Sequence, residues 1–193
     1  MAFIKYIIVP ILIISAVLSI YFGSLLPLTR SRRFIIALGS ASSVKTMNDF
    51  QKNFDNAFKF YSPVGDEEMA KFLGTDILRA VSQKEQSEAA SRFLVNYIES
   101  YLFKDNVRHL MLLAQMHSVL WQKSGKEEDF KKAEEYYLKA MEIGPKLPPV
   151  LYGLLDLERA SGNNEKVKKI SEIILKYWPE DKRIQQIIES IGQ

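Results

Sequence analysis

The stretch AEEYYLKAMEIGP, residues 133–145, returns at an offset of 34 as VKKISEIILKYWP, residues 167–179. Ala133 aligns with Val167, Tyr137 with Ser171, Ala140 with Ile174 and Pro145 with Pro179. Small or apolar residues at these spacings share one helix face, and the proline that follows stops the helix from running on. Two short antiparallel helices approach closely only where small side chains meet, which is the part taken by Ala133 and Ala140. Larger residues such as Leu113, Leu120, Tyr137, Leu154 and Ile174 fill the space between pairs. Recurrence at a fixed period is the mark of stacked supersecondary units, so the expected fold class is all-α, a solenoid of helix pairs.

Each copy is preceded by another helix that ends in glycine. Gly125 and Gly162 stand 37 apart, so the first copy carries three more residues than the second, expected in the turn around Lys126–Asp129. The leading helices then align Ala114 with Leu151 and Ser118 with Leu155. Asn106 opens the first of them and Gly125 closes it, while a last helix over Asp181–Ile191 covers the open end.

Further upstream the pattern stays helical but the repeat fades. Val44–Tyr61 puts Val44, Met47, Phe50, Phe54, Ala57, Phe58 and Tyr61 on one face and stops at Ser62–Gly65. Asp66 caps a helix through Met69, Leu73, Ile77 and Leu78 to Val81, with Glu67 and Glu68 in its first turn, where the helix dipole favours them. A further helix is expected over Lys84–Phe103, and Leu73-Gly74 followed by Ala89 and Phe93 reads as a degenerate copy. The domain plan is therefore an anchor with a basic flank over 1–33, degenerate helical repeats over 34–104, and clear repeats with a capping helix over 105–193.

The anchor is the run from Tyr6 to Leu28, which carries no charge. As a helix it measures roughly 35 Å and crosses a hydrocarbon core of about 30 Å with some tilt. A secretory signal is the competing reading, with Lys5 as its basic start and small residues at Ala37–Ala41, but its apolar region spans only about 7 to 15 residues. Lys5, Arg30, Arg32 and Arg33 hold four of the 26 basic residues, which leaves 22 against 23 acidic in the rest. The formal charge of +3 thus belongs to the membrane border, and no basic excess remains to hold nucleic acid. Arg30, Arg32 and Arg33 are expected to snorkel toward lipid phosphates, and the positive-inside rule favours a cytoplasmic soluble part. Phe34–Leu38 is expected to extend along the lipid boundary.

Residue types argue against chemistry. Cysteine is absent, and His109 and His117 stand eight apart rather than at the spacing of a helical zinc site, so both are read as packing or half-buried residues. No nucleophile has a positioned base and no glycine-rich phosphate loop occurs. The carboxylates of Glu127–Asp129, Glu134 and Glu135 alternate with Lys126, Lys131, Lys132 and Lys139 and read as solvated ion pairs. Neither enzyme activity, cofactor nor metal is expected. Two aromatic clusters, Phe50, Phe54, Phe58, Phe60 with Tyr61, and Tyr97, Tyr101, Phe103 with Tyr136 and Tyr137, read as core, a ligand site being the alternative. Trp121 and Trp178 lie near helix ends, where they close the repeats.

On Ala133, Tyr137, Ala140, Pro145 and Pro179 the second half of the chain resembles the tetratricopeptide (TPR) family, from which it departs at Ser171 and Glu158. The resemblance implies a concave groove lined by Gln115, Val119, Gln122, Tyr152, Asp156 and Arg159, and a protein partner held there. The lysine and asparagine clamp that some members use for acidic C-terminal peptides is not reproduced, and ordinary solvated helix surface is the other reading of these six residues. The first half, from the apolar helix through Tyr21-Phe22, Pro27, Phe50, Phe54, Ala57-Phe58 and Asp66-Glu67-Glu68, is similar to the stretch after the last membrane helix of bacterial O-antigen ligase-like proteins. That likeness implies an accessory module or tail of a polysaccharide-assembly membrane enzyme, and it allows an external soluble part where the arginines argue for a cytoplasmic one. A membrane-anchored TPR scaffold is the leading expectation.

Overall fold

The structure, a computed structural model, describes residues 2–44 and 46–191, and within them the side chains other than those of residues 2–5 and 42. The side chain of Lys5, expected on the basic flank of the span, lies outside that set. Every element among the described residues is helical: α1 (Ala2–Ile20), a π-helical segment (Tyr21–Leu25), α2 (Leu26–Ser40), a short 3-10 turn (Ala41–Ser43), α3 (Met47–Phe58), α4 (Asp66–Val81), α5 (Glu88–Glu99), α6 (Val107–Ser124), α7 (Glu127–Ile143), α8 (Pro148–Ser161), α9 (Asn164–Tyr177) and α10 (Lys182–Ile191). The chain divides into two compact units, residues 1–70 and 71–193.

In the first unit α1, the π segment and α2 run on as one helix. Its stretch Tyr6–Ser40 is, among the described residues, the one helix long and apolar enough to cross a membrane, and none of its most apolar window is buried by the protein itself. The π segment has a local cause. Leu26 donates its N–H to the Tyr21 carbonyl, one residue further back than in an α-helix. Pro27 follows, with no N–H to give and a ring that crowds the preceding turn, and the wider turn relieves that crowding.

Beyond Pro27 the helix packs on α3. Phe34 lies edge-on to Phe54 and Phe58, both at 6.1 Å between ring centres. Arg30 meets Ala57 and Phe58, Arg33 meets Asn56, and Ser40 meets Asn53, so the two helices are antiparallel. Phe34 and Ala37 are buried while Ile35 and Ile36 stay exposed on the opposite side. Thr46 caps α3 by accepting the Asp49 N–H, and the helix ends at Phe58 rather than Tyr61. Tyr61 therefore leaves the expected core face and stands exposed in the loop.

Arg30 departs from the expected role of a lipid-facing anchor. It is buried, its Nε donating to the Ala57 carbonyl at 3.3 Å and its Nη2 to the Phe58 carbonyl at 3.1 Å, and it pairs with the Asp66 carboxylate. The last carbonyls of a helix have no partner within it, and a guanidinium supplies several donors in a fixed fork. Arg33 does related work half-buried, donating to the Asn56 carbonyl at 3.2 Å while its guanidinium lies 4.2 Å from the centre of the Phe60 ring. Arg32 is exposed.

The second unit is a succession of helix pairs. Ser87, Asn106, Asn163 and Asp181 cap α5, α6, α9 and α10 with side-chain oxygens, which explains why α5 begins after the polar run Ser82–Ser87 and not at Lys84. Gly125 and Gly162, at φ 68° and 76°, end α6 and α8 in the left-handed conformation that glycine adopts without strain. All the residues matched at offset 34 within the helices are buried: Ala133 with Val167, Tyr137 with Ser171, Ala140 with Ile174. The three additional residues of the first copy are not in the turn. Both turns are of equal length, and α7 has 17 residues where α9 has 14. The acidic segment Glu127–Asp129 extends α7 at its N-terminus because acidic residues there suit the helix dipole.

Candidate partner-binding cleft

A cleft of about 400 Å³ opens in the second unit, lined by Leu78 and Ser82 from the end of α4, by Gln115, Ser118, Val119 and Gln122 from α6, by Tyr137 from α7, and by Gly153, Asp156 and Leu157 from α8. Gln115, Ser118, Val119 and Gln122 recur at three and four residues, so they lie along one stripe of α6. Tyr137 forms the floor. Burial raises its hydroxyl to about 12, the Asp156 charge adds to that, and the Gln115 side chain, hydrogen-bonded to it, pulls the other way. Gly153 lets α8 approach this ring: a Cβ there would stand 2.6 Å from Cε1 of Tyr137.

Of the six groove residues expected from sequence, Gln115, Val119, Gln122 and Asp156 meet in the cleft. Tyr152 and Arg159 do not line it. Tyr152 donates its hydroxyl to the Asp181 carboxylate at the cap of α10, and its ring lies 5.7 Å from the Arg183 guanidinium. Burial and that bond push the Tyr152 hydroxyl up to about 12. Arg159 stands 3.8 Å from Asp156, which also accepts from Arg183 at 2.8 Å, so the rim of the cleft carries one carboxylate between two guanidinium groups. In sequence Tyr137 has a place in the repeat and in an aromatic cluster, and Gly153 has no assigned role. The signal for their joint role is a glycine inside a helix whose neighbours on either side, Leu151, Leu154 and Leu155, are fully packed.

A second polar cluster lies where α5, α6 and α7 meet. Arg92 grips Asp129, His117 places Nδ1 3.5 Å from Asp129 and Nε2 3.4 Å from Glu99, and Tyr136 donates to Glu99. Lys104 reaches the Tyr136 hydroxyl at 3.0 Å and Lys132 lies 3.7 Å from Glu99. Asp129 is thus not the solvated ion-pair residue its sequence context suggests; it is 2% exposed. His117 and His109 are both fully buried, and His109 accepts the Phe103 N–H at 3.0 Å, fixing the loop between α5 and α6. His117 beside Glu99 lowers that carboxyl to about 2 against the opposing effect of burial, and the Tyr136 hydroxyl helps. For Asp129 burial pushes the other way, and the bond and charge of Arg92 outweigh it, leaving the carboxyl below its usual range. Glu158 is also buried, 3.4 Å from Lys166, which pairs with Glu134 as well. Burial and the neighbouring Glu134 carboxylate raise the Glu158 carboxyl.

These clusters are held by cation–carboxylate pairs internal to the fold. Among the described residues no group of three or more His, Asp or Glu is placed to hold a metal ion. The cleft offers amides, hydroxyls and one carboxylate over an aromatic floor, an inventory suited to binding through hydrogen bonds and contact. Neither a protein-family model nor a curated protein matches this chain.

Proposed function

We propose that this chain is a membrane-anchored scaffold of TPR-like helix pairs that holds an extended segment of a partner protein in the cleft of its second unit. The carrying observation is the stripe Gln115, Val119, Gln122 on α6 facing Asp156 across the Tyr137 floor. Seven residues of α-helix advance about 10 Å, close to three residues of extended chain. A primary amide both donates and accepts, so Gln115 and Gln122 suit two peptide groups of such a segment, with Val119 contacting the side chain between them. Asp156 with Arg159 and Arg183 selects at the rim. The offset of 34, the buried Ala133 and Ala140 and the paired left-handed Gly125 and Gly162 support the TPR-like reading of the array. The apolar helix over Tyr6–Ser40 supports a single span, and the arginines after it favour a cytoplasmic repeat unit.

The test is site-specific photocrosslinking in membranes of the native host. A photoreactive residue at Val119 is expected to capture one discrete protein, and Gln115→Ala with Gln122→Ala is expected to abolish that adduct. The same residue at Lys168, exposed on α9, is the control. Equal adduct patterns from both positions, or an adduct indifferent to the glutamines, would remove the cleft from the function.

A further inference from the structure

The antiparallel pairing of α2 with α3 has a geometric result near the membrane. The chain leaves the apolar span through α2 and returns through α3, so the end of α3 and the loop after it come back to the level of the span's border. Arg30 fixes that level. Its position is only about 3 Å along the helix beyond Leu28, and side chains on a helix lean toward its N-terminus, here toward the span. The carbonyls of Ala57 and Phe58, within 3.3 and 3.1 Å of that guanidinium, are held at the same height.

The loop that follows, Phe60–Gly65, contains no charged residue. Phe60 is half-buried under Arg33, while Tyr61 and Val64 are 67% and 59% exposed and Pro63 is exposed between them. The flanking charges have local partners, Lys59 with Asp55 at 2.8 Å and Asp66 with Arg30. An uncharged loop showing a tyrosine, a proline and a valine to solvent, beside a helix whose own Leu28 is exposed, is at home in the boundary between head groups and acyl chains.

Resting on the reading of Tyr6–Leu28 as a membrane span, we infer that the loop Phe60–Gly65 is a second membrane contact: Tyr61 and Val64 insert into the lipid interface beside the span. The occupant of this apolar surface is lipid, because the surface is continuous with the span itself. The first unit is thereby held at two points, and the α2–α3 hairpin stands upright on the bilayer. An insertion of this kind reaches roughly 5–10 Å into the boundary region.

The chain has no cysteine, so a single introduced one carries a unique label. The full chain, reconstituted in phosphatidylcholine vesicles containing nitroxide-labelled phosphatidylcholine, would carry an environment-sensitive fluorophore in turn at Val17→Cys in mid-span, Val64→Cys and Tyr61→Cys in the loop, and Gln51→Cys on exposed α3. Lipid nitroxides are expected to quench the span and both loop positions but not Gln51→Cys, and aqueous iodide is expected to quench Gln51→Cys severalfold more than Val64→Cys. Quenching by lipid at Val17→Cys, with both loop positions behaving as Gln51→Cys does, would overturn the loop contact and leave the span standing. Loss of lipid quenching at span and loop alike would overturn both.

Discussion

Arg92 holds both carboxylate oxygens of Asp129, Nη1 3.0 Å from Oδ1 and Nη2 2.8 Å from Oδ2, across 37 residues of sequence. This fork ties α5 to the start of α7, and His117 of α6 stands against the same carboxylate. Removing Asp129 leaves Arg92 with the more exposed Glu88 at 3.1 Å, whereas breaking a fully buried pair costs about 3–5 kcal/mol. The Arg92 side chain is 30% exposed, so water softens the loss. Asp129→Ala is expected to destabilise the detergent-solubilised chain by about 2–3 kcal/mol by thermal or denaturant melting. Glu127→Ala, two residues away and exposed, is expected to fall within about 0.5 kcal/mol of the parent.

Acid should loosen the same cluster. Glu99 has its carboxyl lowered to about 2 in the fold against an ordinary value of 4.5. A depressed carboxylate contributes stability that is fully present above the unfolded value and is lost as pH falls toward the folded one. Melting temperature is therefore expected to drop between about pH 5 and pH 2. Glu99→Gln is expected to be less stable at neutral pH and to lose less on acidification, as circular dichroism melts would report. An identical acid loss in parent and variant would assign the effect to other carboxylates.

Arg30 gives a prediction about the first unit. Arg30→Met keeps the length and apolar stem but removes the guanidinium that donates to the Ala57 and Phe58 carbonyls and pairs with Asp66, leaving Ala57 the Phe60 N–H at 3.3 Å. A cost of about 2–3 kcal/mol is expected, concentrated in α3. Arg30→Lys is expected to rescue little, since an ammonium cannot reproduce the fork. Hydrogen exchange of the full chain in nanodiscs checks both: α3 amides should exchange faster in either variant while α9 amides keep their protection.

Close packing gives the last pair of predictions. Ala140 is fully buried, and Ala140→Leu should force the helices of its pair apart at a cost of about 1–3 kcal/mol. Gly153→Ala places a methyl carbon against the Tyr137 ring. Its helix propensity gain of about 1 kcal/mol is expected to be offset by the displaced ring. Near-ultraviolet circular dichroism should register the movement of Tyr137, and the crosslink from Val119 should weaken. An unchanged tyrosine signature would mean that the ring is free to turn aside.

What was legible in sequence was what periodicity and capping control. The offset between Ala133 and Val167, the glycines at 125 and 162 and the Asn106 cap each act through local backbone geometry, and each fell where expected. Local charge context misled, because partners arrive from distant elements. Asp129 sits among lysines in sequence but finds Arg92 from α5, and Arg30 sits beside a lipid span but finds the end of α3. The cleft was half legible: a helix stripe gave Gln115, Val119 and Gln122, whereas Tyr152 turned to the cap of α10, a contact between helices that no spacing rule encodes.

The longer α7 also bears on how such a chain can change over generations. Arrays of similar units grow and shrink by duplicating or dropping one unit, provided any unit fits beside any other. Here the additional turn of α7 carries Asp129, and the guanidinium it accepts comes from α5. A copy of α8–α9 inserted between α5 and α6 would leave Arg92 with Glu88 of its own helix in place of Asp129, while one inserted between α9 and α10 would bring its own counterparts of Tyr152 and Asp156 to Asp181 and Arg183. The stack therefore has a fixed first member and an extensible far end, and variation in length among descendants of this chain should accumulate toward the C-terminus.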